Sequence, residues 1–411
     1  MGEYKNINKS LKTSFKSGNL PRARAGQPYI TFLGEDNLSS NPSVDLVLEE
    51  IGLHFFPKRK QITGIPKKSG TFDLLFNNRE YNDSGMEIIS TQKLKLIVEK
   101  DCDFTIMHVD ESDPYWKPDD DVYTIGVNTD SKNRFKKDVA AASRRGHQQI
   151  EKGKIREDHF FVQYDSKTRW YTLAVSDGAG KSDFSRKGSE IACKRSVESC
   201  LERLTAQSKK LKRLTIKYTR RKSNTVRKEL LRTLYDIIAM SVVDAYRKIE
   251  AEAKINELHP NDFAATLLMC ICKKFEFGWL IGTFGVGDGA VCVYRKENWY
   301  ANLMGGGESS LEKLFLTTPG IIQPSGLERR IRFTIVDDFT ALFLMTNGVS
   351  SPKFGKEEDL PCFELWDRFW DEMCSHVDFS GKINDIGEDL LKWLDFWTPG
   401  KYDDRTIAML F

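Results

Sequence analysis

The chain has 411 residues, of which 40% are hydrophobic and 29% charged, and its formal net charge is +3. That length predicts two or three domains with ample buried core. The near-neutral balance excludes a molecule built wholly as a polyanion binder, so any anion preference must come from local patches.

The first residues, MGEYKNINKS, are polar and lack the apolar run of a signal peptide. Gly2 hints at myristoylation, but Asn6 stands where that motif needs Ser or Thr. No stretch is apolar enough to cross a bilayer, so no membrane contact and a cytoplasmic protein are expected. Eight cysteines at 102, 193, 200, 270, 272, 292, 362 and 374 include no CxxC pair and read as reduced thiols. Cys270 and Cys272, two apart in an apolar run, should share one face of a strand.

Residues 1–25 are basic, polar and read as flexible. Short strands follow from 26 to 110: YITFLGE, LHFF, GTFDLLF, KLKLIVE and DFTIMHV, separated by turn residues. Within them, Ile62, Gly64, Pro66, Gly70, Thr71 and Phe72 form an I-x-G-x-P turn followed by a G-T-F strand. This stretch resembles bacterial immunoglobulin-like domains, which implies an N-terminal all-β sandwich acting as a spacer or interaction module. Residues 111–137, acidic and rich in Pro and Asp, read as a linker that Tyr115 and Trp116 could pin to a neighbouring surface.

From 138 to 411 strands and helices alternate. A basic helical insertion is expected at about 205–258, within a longer helical stretch from Ser185 to Leu258. The run from Ser208 to Arg232 carries eleven Lys and Arg against one Glu. It reads as a solvated helix face or mobile loop ahead of a docking site for an acidic or phosphorylated partner or for nucleic acid. With Tyr218 as its only aromatic, it argues against nucleic acid.

Four acidic runs border the apolar strands of this region. They are REDHF at 156–160, SDGAGK at 176–181, GVGDGA at 285–290 and YDDRT at 402–406, and Asn347 stands at a fifth strand end in MTNGVSS. Carboxylates gathered at strand ends suit hard divalent cations bound through oxygen.

In this order the runs resemble the metal-dependent type 2C serine/threonine protein phosphatases, in particular the bacterial branch. The resemblance implies an α+β fold, a central antiparallel β-sandwich flanked by helices. It implies hydrolysis of phosphoserine and phosphothreonine by a metal-activated water, with two Mn²⁺ or Mg²⁺ ions and a looser third. Asp177 would bridge the two ions. Glu157 and the Gly178 carbonyl would serve one, Asp403 the other, and Asp288 the third. Asp158 would orient water. Thr266 and Leu267 fit the family's Thr-Leu strand start. A phosphoprotein substrate and a cognate serine/threonine kinase are the implied partners.

Three departures stand out. Asn347 replaces a metal-binding Asp and brings no charge, so weaker ion binding is expected, or a catalytically weak relative that binds a phosphoprotein or kinase. Asp404 replaces the family's Asn. Ala179 stands where many members carry a histidine. For the phosphate-binding cation, Arg144, Arg145, Lys154 and Arg156 lie near the right segment, and Arg156 is favoured. His147 and His159 read as core or surface residues, and Lys181 and Ser185 as the border of a substrate entrance or, for the serine, a helix cap.

Overall fold

The computed structural model describes residues 20–27, 29–33, 43–44, 47–57, 60–81, 87–99, 109–127, 137–296, 299–303, 314–355, 360–396 and 403–411. Residues 1–19, expected to be flexible, and most of the expected strand DFTIMHV lie outside these. The chain divides into two compact units between Phe104 and Thr105.

In the first unit the elements are β1 (Ala23–Arg24), β2 (Tyr29–Phe32), β3 (Ser43–Val44), α1 (Val47–Glu50), β4 (Leu53–Phe56), β5 (Gln61–Gly64), β6 (Gly70–Tyr81) and β7 (Glu87–Glu99). They build a four-stranded sheet, β1-β7-β6-β3, and a three-stranded one, β2-β5-β4. Leu74 and Phe76 of β6 and Leu94 and Leu96 of β7 alternate inward and share one core with Leu53 and Ile62 of the smaller sheet. A β-sandwich results, as the strand pattern predicts.

The second unit opens on the stretch read as a linker, and here the structure differs. Asp120–Ile125 is a strand, β8, paired antiparallel with β9 (Val139–Arg144) at the edge of a sheet. Its acidic, Pro-flanked composition suits an edge strand as well as a linker, because charge and proline protect edges from further pairing. Tyr115 does pin the approach: its ring meets Phe184 and Phe263 edge-on, and its hydroxyl donates to Glu252 at 3.0 Å. Trp116 remains 42% exposed.

Next come α2 (His147–Glu151), β10 (His159–Asp165), β11 (Trp170–Ser176), α3 (Ser185–Ala206), α4 (Ser208–Arg221), α5 (Asn224–Ile255), β12 (Leu267–Phe275), β13 (Gly278–Val286), β14 (Ala290–Arg295) and β15 (Trp299–Asn302). The unit closes with α6 (Pro324–Arg330), β16 (Ile331–Val336), β17 (Ala341–Met345), α7 (Asn347–Phe354), α8 (Phe363–Cys374), α9 (Ile383–Trp393) and β18 (Arg405–Leu410). The strands form two antiparallel sheets, β10-β11-β12-β13-β16 and β15-β14-β17-β18-β9-β8.

Strict alternation separates three apolar layers. Leu173, Val175, Leu268 and Cys270 of one sheet meet Ala141, Val291, Leu344 and Ala408 of the other in the central layer. The intervening residues face outward. Met269 and Ile271 pack on α3 and α5 through Ala192, Leu234 and Val242, while Phe343 and Met409 pack on Trp366, Leu390 and Trp393. Both sheets are thus buried on both faces, which is why their strands read as near-continuous apolar runs. Cys270 and Cys272 share the inner face as expected, and the seven described cysteines are free. Among the described residues no helix is long and apolar enough to cross a membrane.

Candidate active site

Antiparallel register carries the acidic runs to one end of the two sheets. His159, first of β10, pairs with Ser176, last of β11, and Leu267, first of β12, pairs with Val286, last of β13. In the facing sheet, Ala290 pairs with Met345, Met345 with Ile407, and Arg405 with Arg144. Glu157, Asp158, Asp177, Asp288, Asn347, Asp403 and Asp404 therefore all occupy strand ends on the same side.

Each is held by a specific contact. The Asp177 N–H donates to the Thr266 hydroxyl at 2.8 Å, and the Thr266 N–H returns to the Asp177 carbonyl at 2.8 Å. At Gly178 an added Cβ would stand 2.9 Å from the Glu157 carbonyl and 3.0 Å from Ser185, so only glycine lets these segments approach. At Gly348 it would stand 1.8 Å from the Asp404 carbonyl, which keeps the start of α7 against the approach to β18. Asp158 accepts from the Thr346 hydroxyl at 2.8 Å. Glu157 accepts from the Gln149 amide at 2.8 Å and from the Ser185 hydroxyl at 3.1 Å, so that serine serves the acid rather than capping α3. Asn347 donates to Asp288 at 3.0 Å.

Asp404 organises this end of the molecule. One carboxylate oxygen accepts the Gly146 N–H at 2.6 Å. The other accepts the N–H groups of Glu157 at 2.5 Å and Asp158 at 3.3 Å. Its position in the polar run before β18 gave no hint of this role in the sequence, beyond its departure from the family's Asn.

Burial and mutual repulsion hold these acids toward their protonated forms. Burial first, then the charge of Asp404, raises Glu157 from 4.5 to about 7. Asp158 is raised well above the ordinary range by burial and then by Asp177, Asp404 and Asp403. Asp404 is raised by burial and by Asp403, against the pull of its backbone donors. Behind the pair lies Lys117, its stem half-buried and its ammonium enclosed. It donates to the carbonyls of Asp158 at 2.7 Å, Arg186 at 3.2 Å and Glu157 at 3.4 Å. Burial and the nearby Arg156 charge push Lys117 down to about 7.

Among the described residues no three His, Cys, Asp or Glu side chains are grouped to hold an ion by themselves. The chemistry of the donors nevertheless fits a hard cation. The acids repel one another at one sheet end, and the Asn347 side-chain oxygen is buried with no hydrogen-bond partner. Mg²⁺ keeps several waters, so carbonyls, one amide and a few carboxylates can suffice.

A stability test follows from the sign of the Glu157 shift. The folded, cation-free chain holds this proton more tightly than the unfolded chain, so the contribution is full below pH 4.5 and lost as pH rises through about 7. With EDTA present, denaturant unfolding should show Glu157 removing on the order of 2–3 kcal/mol between pH 4.5 and 8. Glu157→Gln should flatten that fall and Mn²⁺ should oppose it; identical pH profiles for wild type and variant would exclude the assignment.

Two expectations about basic residues change. Arg156, favoured for phosphate, is 1% exposed. Its guanidinium donates to the carbonyls of Pro118 at 3.2 Å and Asp158 at 3.3 Å and to the Ser143 hydroxyl, and lies 3.7 Å from Asp121. It ties strands together and offers nothing to a ligand. Arg145 is likewise buried against Asp119 and the Gln149 carbonyl, and Arg144 pairs with Asp395 and Asp120. Lys154 is exposed, and its charge reaches Glu157. A groove of about 240 Å³ opens there, lined by Lys154, Glu157, Ser182 and Arg186 among others. Burial, then the Lys117 and Arg156 charges, hold His159 well below its ordinary pKa, so it stays neutral.

An αββα sandwich with an acidic cluster at one sheet end defines the class: a fold that presents oxygen donors where two sheets meet. The sequence profile described as "Protein phosphatase 2C" matches residues 145–395, more than half of the chain. The chain belongs to the protein phosphatase 2C family.

Solved structures with a similar fold include a bacterial serine phosphatase, 13% identical, with 66% of this chain and 96% of that one covered at a TM-score of 0.38. Another is a serine-threonine phosphatase 2C from Toxoplasma gondii, 13% identical, with 71% and 99% covered at 0.41. A third is the serine/threonine phosphatase of S. agalactiae, 12% identical, with 71% and 99% covered at 0.40. These likenesses are remote and assign no residue here a role. No protein of curated function matches the chain.

Proposed function

We propose that the chain is a metal-dependent serine/threonine protein phosphatase. The observation that carries this reading is the gathering of Glu157, Asp158, Asp177 and Asp404 at one sheet end, where burial and mutual charge call for a cation.

Asp177, Glu157, Asp403 and the Gly178 carbonyl would hold two Mg²⁺ or Mn²⁺ ions, with Asp288 and Asn347 beside a third. When bound, the ions lower the pKa of water and offset charge on the phosphoryl oxygens. Asp158, fixed by Thr346, would orient the attacking water and take up its proton. Gln149 and Ser185 hold Glu157 in one orientation, and Asp404 fixes the main chain of the pair. Lys154 would meet the phosphate at the groove beside Glu157 as a mobile point charge.

Hydrolysis of p-nitrophenyl phosphate and of a phosphothreonine peptide, with Mn²⁺, Mg²⁺ or EDTA, tests the reading. Turnover that needs the cation supports it, and no turnover with any cation refutes it. Lys154→Ala should raise KM for the peptide about tenfold and change kcat little, because a phosphate contact is made in the bound substrate as in the transition state. An unchanged KM removes Lys154 from this role. Such a reaction requires a protein kinase to supply the phosphorylated substrate. The first unit would act as an immunoglobulin-like spacer or interaction module.

A further inference from the structure

The basic run that the catalytic reading leaves unused is an ordered helix. α4 carries Lys209, Lys210, Lys212, Arg213, Lys217, Arg220 and Arg221, and Lys222 follows it; all eight are exposed. Among the described residues none of the eight has a carboxylate partner. Lys209, Arg213, Lys217 and Arg221 follow one another at i,i+4, so each neighbouring pair repels along one face. Lysines also occupy the first turn, where the helix dipole disfavours them, and no acid is present there. Only Leu211, Leu214 and Thr215 are buried. The dipole favours Arg220 and Arg221 in the last turn, and Lys222 lies over the Tyr218 and Phe277 rings, but the other five charges do not serve the helix that bears them.

Their place in the fold says what they could serve. Tyr218 of α4 packs on Phe277 with ring centroids 5.0 Å apart, at the tight turn joining β12 to β13. That turn is the far end of β12 from Thr266, which holds Asp177. Nine residues of strand separate them, roughly 30 Å at 3.3 Å per residue. A groove of about 350 Å³ beside the helix is lined by Thr215, Ile216, Thr219, Arg220, Phe275 and Glu276. Ile216 is 43% exposed there and could take an apolar side chain.

We propose that α4 is a remote docking site for an acidic segment of the phosphoprotein substrate, a proposal that rests on the phosphatase reading above. Charge complementarity selects the acidic segment, and the separation sets a rule of length. A chain spans at most 3.3–3.6 Å per residue, so the acidic segment must lie at least roughly nine residues from the phosphorylated one.

The test uses the full chain and fluorescent peptides bearing an acidic or a neutral tail, with spacers of about four or about twenty residues to a phosphothreonine. The acidic tail on the long spacer should lower KM by about tenfold at unchanged kcat, through effective concentration. The short spacer should give no gain, and added salt should erase the gain. Arg213→Glu with Lys217→Glu, or the milder Gln pair, should lose it while p-nitrophenyl phosphate turnover stays unchanged. Anisotropy of the unphosphorylated acidic peptide reads docking independently of catalysis. Equal KM for both tails, a gain that survives in the variants, or tighter binding of nucleic acid than of the peptide at the same salt would overturn the proposal.

Discussion

Asp177→Asn is expected to lower cation-dependent phosphoester hydrolysis on the order of a thousandfold while leaving the fold intact. The fold argument is local. Asp177 is fixed through its backbone, by the paired bonds with Thr266, and the amide keeps the size of the acid. The charge argument is sharper. Asp177 is the largest charge opposing ionisation of Asp158. Its removal should leave the cation-free protein at least as stable as wild type, since one repulsion is relieved. The same change should abolish most of the stabilisation by Mn²⁺, which in wild type would reach about 2.7 kcal/mol at a hundred times Kd. Thermal melts with EDTA and with Mn²⁺, beside the hydrolysis assay, read both effects. A variant that retains a tenth of the activity, or the full Mn²⁺ gain, would remove Asp177 from the centre of the site.

Lys117→Met should cost about 2–3 kcal/mol of stability and weaken the site at the same time. The methionine fills the path of the lysine stem but leaves the carbonyls of Glu157, Asp158 and Arg186 without their shared donor. Those first two carbonyls belong to the acidic pair, so its main chain should relax. Displacement of reacting groups by about 1 Å can cost a hundredfold, and a fall of kcat between ten- and a hundredfold is expected. Half-saturation by Mn²⁺ should move to higher concentration, an effect a remote packing defect would not produce. Lys117→Arg should restore stability in part. Wild-type unfolding and Mn²⁺ titration curves for Lys117→Met would show that the lysine has no positioning role.

These two residues mark how far the sequence could be read. Asp177 was legible because it ends an unbroken apolar strand and is followed by Gly178, a pattern carried within a few residues. Thr266, Asp288 and Asn347 were legible from their places beside apolar strands, whereas the role of Asp404 was not. Lys117 was not, because it lies in a Pro- and Asp-rich stretch whose composition resembles a linker. Its partners stand 40 to 69 positions away. Arg156 misled for the converse reason. Its place beside the acidic pair suggested a ligand contact, whereas Asp121 and Ser143, on β8 and β9, draw it inward.

What the amino-acid sequence determined by itself is everything set by short range. The alternation of apolar residues defined the strands, the turn residues ended them, and the order of acidic runs pointed to the phosphatase 2C family. What only the tertiary structure decided is which ends meet and which charges face inward. Antiparallel register brings Glu157 beside Asp404, nearly 250 residues later in the chain, and places α4 at the opposite end of a sheet. Pairing energies depend on register and on the desolvation of every neighbour at once, and neither is a property of any one segment.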